Sequence, residues 1–176
     1  MEEKIKKDSK YLSYLLRHHP DEAGCDMDEF GWVDVDTLIK NTKFTLEYLK
    51  EIVSKDTRYG FSEDYKKIRA FHGHSYRNIT YLEDKNPPDV LYHGTSLDNY
   101  DKIIESGMIK SMNRAEVHLS SNVQKAKEIG KRHGKPIVLV LDCIAMKTDG
   151  YIFHKSEDDV YLTSNIYIKY IKEIIQ

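Results

Sequence analysis

"GWVDVDTLIKNTKFTLEYLKEIVSKD", Gly31–Asp56, decides how the first half of the chain folds. Trp32–Val35 reads as a short strand that runs straight into a helix capped by Asp34 or Asp36. Thr45 offers its hydroxyl to cap a second helix, in which Leu46, Leu49, Ile52 and Val53 fall on one face. Downstream, "YGFSEDYKKIRAF" (Tyr59–Phe71) places a polar turn between two strand-like arms. Two short helices and a hairpin make a helix-turn-helix with a wing, the outline of a winged-helix module.

Upstream, Tyr11, Leu12, Leu15 and Leu16 share one face of a helix predicted over Ser9–His18, with Asp8 or Ser9 as its cap and Pro20 as its stop. That helix ends in "LRHHP", an arginine and two histidines in a row. Cations in a last turn gain about 0.3–1 kcal/mol from the helix dipole, so the cluster has an ordinary structural reading as well as a chemical one.

Further on, "LEDKNPPDV" (Leu82–Val90) changes the texture. Pro87-Pro88 cannot continue a ladder and reads as a linker, giving expected units 1–85 and 86–176. The second unit opens with "VLYHGT" as strand and turn, then "SLDNYDKIIESG" as a helix closed by Gly107. A short strand "EVHLS", a helix "NVQKAKEIGKRHG" and a buried strand "PIVLVLD" follow. "GYIFHK", "DVYLTS" and "YIKYIKEI" complete it as further short strands. Strands with two inserted helices make this half, and the chain as a whole, α+β.

Composition narrows the function classes. The chain has 176 residues, 40% hydrophobic and 32% charged, as folded proteins do. Residues 1–85 carry 15 basic against 17 acidic side chains and residues 86–176 carry 12 against 12. Without a basic excess, a polyanion has to be met by a local cluster of cations rather than by a coating of charge. No apolar run is long enough to span a bilayer, and MEEKIKKDSK has no hydrophobic signal region. Cys25 and Cys143 form no CxxC pair, and a reducing cytoplasm is the expected compartment. Eight histidines bring no HExxH, and only His72 and His74 lie close on one strand face, so no metal site is expected. GxxxxGK[ST], GxGxxG and GxSxG are all missing.

Four segments remain that can carry chemistry. In "KKIRAFHGHS" alternation puts Lys67 and Arg69 on one side, Gly73 permits close backbone approach, and His74 and Ser75 add donors. In "MNRAEVHLS" Arg114 precedes a strand whose His118 and Ser120 share a face. "LYHGTS" puts His93 at a strand end, followed by Gly94 and Thr95. Each reads singly as a solvated strand, a loop arginine or a turn. Together with Arg17-His18 they place three arginine segments, each tied to a histidine or serine, on both sides of the linker. That pattern suits a phosphate, whose oxygens match the planar guanidinium fork.

The ordered set "LSYLLRHHP", "GWVDVDTLI", "IRAFHGHS", "PPDVLYHGTS", "EVHLS", "PIVLVLD", "DGYIF" and "DVYLT" resembles the RNA 2′-phosphotransferase family of KptA type over nearly the whole chain. The resemblance implies an N-terminal winged-helix lobe and a C-terminal ADP-ribosyltransferase-like lobe of mostly antiparallel short strands. It implies NAD+ as co-substrate without a metal, and RNA bearing a 2′-phosphate, such as tRNA at a splice junction, as substrate. The catalytic tetrad would be Arg17, His18, Arg69 and Arg114, with His74 and Ser75 also at the RNA phosphate. His93, His118 and Val160 would face NAD+, with Gly94, Thr95 and Ser120 beside them. Many ADP-ribosyltransferases carry glutamate where this chain has Val160. The family commonly has glutamine where His72 stands, and Arg132 competes with Arg114 for the third arginine.

The implied reaction forms a 2′-phospho-ADP-ribosylated RNA, then releases RNA with a free 2′-hydroxyl, nicotinamide and ADP-ribose 1″,2″-cyclic phosphate. One unit-charge pair at about 4 Å and an effective dielectric of about 20 is worth roughly 4 kcal/mol before desolvation, so several arginines are expected around one phosphate. A monomer in the cytoplasm, with no membrane contact, is the accompanying expectation. Transfer to a nucleic-acid 5′-phosphate end would use the same arginines. A winged-helix DNA-binding regulator is the third reading, opposed by the near-neutral N-terminal half.

Overall fold

Helix α1 spans Glu2–Arg17 and buries Leu12, Leu15 and Leu16 completely. It starts well before Ser9, with Glu2 and Glu3 in the first turn where the dipole favours acids. Asp8 and Ser9 therefore do not cap it. Both lie inside the helix and are buried, because each has partners from distant sequence. Asp8 pairs with Lys43 and accepts from the Tyr48 hydroxyl at 2.8 Å. Ser9 donates to Asp56 at 2.5 Å and accepts from Arg58 at 2.9 Å.

The computed structural model describes residues 2–76, 79–81, 84, 86–156 and 158–176, which fall into two compact units, Met1–Thr80 and Tyr81–Gln176. Of the expected linker, Leu82, Glu83 and Lys85 lie outside the described residues.

In the first unit a 3-10 turn, Pro20–Ala23, follows α1. Next come β1 (Val33–Asp34), α2 (Val35–Asn41), α3 (Leu46–Lys55), β2 (Tyr59–Phe61) and β3 (Lys67–Ala70). The Asp34 carboxylate caps α2 through the Thr37 N–H, and Thr45 caps α3 through the Tyr48 N–H. The strands form one antiparallel sheet in the order β1-β3-β2, with Val33 opposite Ile68 and Gly60 opposite Arg69. Ile68 and Ala70 enter a core with Leu12, Leu16, Phe44, Leu49 and Ile52. Lys67 and Arg69 take the other face, as the alternation requires.

The second unit contains β4 (Val90–Ser96), α4 (Leu97–Ser106), β5 (Met108–Ile109), β6 (Val117–Ser120), α5 (Val123–Lys131) and β7 (Pro136–Asp142). It continues with α6 (Cys143–Thr148), β8 (His154–Lys155), β9 (Val160–Thr163), β10 (Ile166–Tyr167) and β11 (Ile171–Ile175). Six of these strands form an antiparallel sheet in the order β11-β7-β4-β6-β9-β8, and β5 pairs with β10. The third helix, α6, was not anticipated. It is too short for a periodic signal and is started by Asp142, whose carboxylate accepts from the Ala145 N–H at 3.0 Å. Strand β4 pairs with β7 along its whole length, from Val90 opposite Asp142 to Ser96 opposite Pro136, but with β6 only at Tyr92 and Ser120. Helix α5 lies directly on β4: a Cβ at Gly94 would sit 1.8 Å from the Ala126 carbonyl oxygen, and one at Gly130 would sit 2.5 Å from that of Thr95. Among the described residues no helix is long and apolar enough to cross a membrane.

Candidate functional site

In the first unit, the end of α1, strand β3 and the segment after it bring Arg17, His18, Arg69, His74 and Ser75 together. Arg17 is the last residue of α1, 6% exposed, with its charge held against protein instead of water. Gly73 has φ 86, and the position its Cβ would take is 3.3 Å from the Arg17 guanidinium carbon. A side chain there would be strained by the left-handed backbone and would press on the arginine head. Ser75 ties the two segments: its N–H donates to the Arg17 carbonyl at 3.0 Å, and its hydroxyl oxygen is 2.7 Å from His18 Nδ1. Because that hydroxyl also lies 3.4 Å from the Arg17 carbonyl, it can donate there and accept from His18. The His18 Nε2 edge is then the one turned away from Ser75.

His74 was expected at the phosphate and is only 2% exposed. It sits beneath Gly31, whose absent Cβ would be 3.1 Å from His74 Nε2. Burial first, then the Arg17 charge, with His72, His18 and Arg69 adding, drives its pKa down to about 3. The ring is neutral, so it shapes the cluster while the guanidiniums of Arg17 and Arg69 supply the positive charge. His72 is buried too.

Arg69 projects from β3 onto the Trp32 ring, with its guanidinium carbon 4.3 Å from the ring centroid, and donates to the Phe30 carbonyl at 3.2 Å. Trp32 and Phe30 were missed as contributors, because nothing local links them to Arg69. His19, by contrast, stacks on Tyr14 with 4.6 Å between ring centroids and lies 3.9 Å from Glu22, apart from the Arg17–His18–Ser75 contacts.

The second unit builds its own polar row on β4 and β6. His93 Nδ1 is 3.2 Å from the His118 carbonyl oxygen, which can only accept, so Nδ1 carries the proton. Burial lowers the His93 pKa against the raising effect of that bond, and Arg114 lowers it further. The neutral ring thus leaves Nε2 as an acceptor. Arg114 reaches back along its own loop, placing Nη1 2.7 Å from His118 Nδ1. A guanidinium only donates, so the proton of a neutral His118 is on Nε2. Arg114 is an exposed residue with a crowded head: desolvation first, and neighbouring Arg132 second, draw its pKa below the usual arginine value. Both candidates for the third arginine thus lie in one electrostatic neighbourhood, and of the two it is Arg114 that bonds His118.

The remaining residues expected at NAD+ have structural partners. Gly94 lies where α5 packs on β4, and Thr95 is buried beside Gly130. The Ser120 hydroxyl, also buried, donates to the Asn122 carbonyl and accepts from its N–H, each at 3.0 Å. Asn122 in turn caps α5. Val160 stands opposite Ser120 on β9 and is 8% exposed. Among the described residues no three His, Cys, Asp or Glu side chains are grouped to hold a metal ion.

Comparison with known proteins agrees with the resemblance. Residues 3–165 match the RNA 2′-phosphotransferase, Tpt1 / KptA family. A protein of Pseudomonas fluorescens named probable RNA 2′-phosphotransferase is 39% identical, covering 99% of this chain and 100% of its own. Proteins of the same name from Acaryochloris marina and Nostoc punctiforme are 40% and 41% identical, over 99% and 97% of this chain and 99% and 98% of their own. With a grouped arginine–histidine cluster in one unit, a histidine–arginine row in the other and matches of this extent, the chain belongs to the RNA 2′-phosphotransferase, Tpt1 / KptA family.

Proposed function

We propose that the protein is an NAD+-dependent RNA 2′-phosphotransferase, built from a winged-helix first unit and an ADP-ribosyltransferase-like second unit. The observation that carries this reading is the convergence of Arg17, His18 and Arg69 in the first unit. Arg17, packed against Gly73, and Arg69, over Trp32, both act on the buried His74, and planar guanidinium forks are the groups that match phosphate oxygens. In this reading they hold the RNA 2′-phosphate and follow its charge through the reaction. His18, whose Nδ1–H is held by Ser75, hydrogen-bonds the phosphate or delivers a proton to the departing 2′-oxygen through Nε2 when the ring is in its imidazolium form, with a proton on both nitrogens.

The donor set of the second unit fits a dinucleotide. His93 offers an acceptor nitrogen suited to a ribose hydroxyl, His118 offers an N–H, and Arg114 offers a cation. NAD+, when bound, would supply the ADP-ribosyl group that the phosphate accepts, with nicotinamide as leaving group. Val160 keeps a carboxylate away from the ribose hydroxyls, leaving them free to react. The family resemblance assigns Arg114 to the phosphate as well, and RNA with an internal 2′-phosphate is the substrate.

The deciding experiment incubates the protein with a short 2′-phosphorylated RNA, with and without NAD+ and with and without chelator. Loss of the 2′-phosphate only with NAD+, chelator or not, is expected. His18→Ala is expected to accumulate 2′-phospho-ADP-ribosylated RNA, and Arg69→Ala to abolish turnover. Reaction only with 5′-phosphorylated RNA, or tight duplex DNA binding without NAD+, would overturn the assignment.

A further inference from the structure

We infer that Trp32 is a positioning residue for Arg69, and that the turn Asp28–Trp32 exists to hold it; this rests on the phosphate reading of Arg69. Asp28 accepts from the Phe30 N–H at 3.1 Å and the Trp32 N–H at 2.9 Å, while its own N–H donates to the Trp32 carbonyl at 3.0 Å. Its second carboxylate oxygen accepts from Lys67 at 3.1 Å, which fastens the turn to β3 two residues before Arg69. A turn closed this way has little freedom, and three of its residues face the cluster. Phe30 gives its carbonyl to Arg69, Trp32 gives its ring face, and Gly31, at φ 80, leaves space for His74. Phe71 closes on Arg69 from further off, at 5.9 Å, and is itself seated over Gly60, where a Cβ would come within 2.5 Å of its ring.

A guanidinium held over an indole face does not spend its N–H groups on that contact, and its rotation is restricted. The carbonyl of Phe30 takes one of those donors and fixes the remaining angle. Arg69 is thereby oriented before any phosphate arrives, which preserves binding free energy for the transition state. Lysine at position 69 would lose the planar stack and the fork and keep only a point charge near the ring.

Two measurements test this. Trp32 is the chain's single tryptophan, so the protein's tryptophan emission reports the surroundings of this one ring, Arg69 among them. Arg69→Met should shift the emission of the substrate-free protein, whatever its activity. An unchanged spectrum would overturn the stacking, and it would do so even if the phosphotransferase reading held. The second measurement is a double-mutant cycle on turnover of 2′-phosphorylated RNA. Trp32→Leu should lower kcat roughly 3- to 30-fold, as loss of a cation–π contact implies, with the KM for NAD+ unchanged. Trp32→Phe, which keeps an aromatic face, should stay within about 3-fold of wild type. In an Arg69→Lys background the cost of Trp32→Leu should shrink to less than about 2-fold. An undiminished cost there, or equal losses for Phe and Leu, would mean that Trp32 acts through the fold instead. Wild-type protein inactive on every 2′-phosphorylated RNA would refute the phosphotransferase reading while leaving the fluorescence result to stand or fall on its own.

Discussion

Replacing Gly94 by alanine separates a packing role from a ligand role at a position where the sequence suggested the latter. The new Cβ would lie 1.8 Å from the Ala126 carbonyl oxygen, 2.6 Å from its carbon and 3.1 Å from its Cα, where ordinary contact begins near 3.4 Å. Backbone cannot rotate aside, so α5 has to retreat by about 1.5 Å at that point, more than a close-packed interior accommodates locally. The same helix is held from its other end by Gly130 against the Thr95 carbonyl and at its start by Asn122, whose side chain accepts from the Lys125 N–H at 2.9 Å. Overpacking of an interior costs typically about 1–3 kcal/mol, and a clash with main chain belongs at or above the top of that range. For a unit of this size, about 3 kcal/mol lowers the melting temperature by more than about 10 °C. Thermal unfolding followed by circular dichroism measures it. Two controls sharpen the test. Ala126→Gly should not rescue Gly94→Ala, because the clash is with the carbonyl and not the side chain. Gly130→Ala combined with Gly94→Ala should cost less than the sum, since one displacement of α5 relieves both. A Gly94→Ala protein that melts within about 2 °C of wild type and merely weakens NAD+ would refute the packing argument.

Acid titration tests the burial of His74. Its folded pKa, near 3, lies below the unfolded value of 6.5, so the neutral form stabilises the fold fully above pH 6.5 and that contribution is lost as pH falls toward 3. Up to about 1.4 kcal/mol per pH unit is expected between pH 6.5 and 4.5, a window above the range of the lowered carboxylates Asp8, Asp28 and Asp34. Urea midpoints should flatten with pH in His74→Gln, and a flat wild-type profile would contradict the burial. Ser75→Ala should remove the Ser75 contact that orients His18 and, on the proposed role of His18, slow turnover about 10-fold, while the melting temperature hardly moves. Asp28→Ala removes the acceptor shared by Phe30, Trp32 and Lys67 and should cost about 1–3 kcal/mol in urea unfolding, together with a fall in turnover like that of Trp32→Leu.

Local chemistry made much of this protein readable without coordinates. Asp34 and Thr45 cap their helices because a carboxylate and a hydroxyl next to a free N–H need no distant help. Arg69 faces out while Ile68 and Ala70 are buried, because strand geometry alternates whatever surrounds it. Arg17, His18 and Arg69 were each visible as cations near a serine or glycine. What no segment could announce is which partner a side chain finds across the fold. Asp8 and Ser9 look like caps and instead bind Lys43, Tyr48, Asp56 and Arg58, which only the packing of α1 against later elements brings within reach. His74 reads as a solvated donor, and only tertiary burial beneath Gly31 holds it neutral. Nothing in the segment around Gly94 announces that α5 lies across it. Backbone propensities and capping act over a few residues and are written in the chain. Desolvation, cation–π stacking and close helix–strand contact act through space, and so only the folded structure decides them.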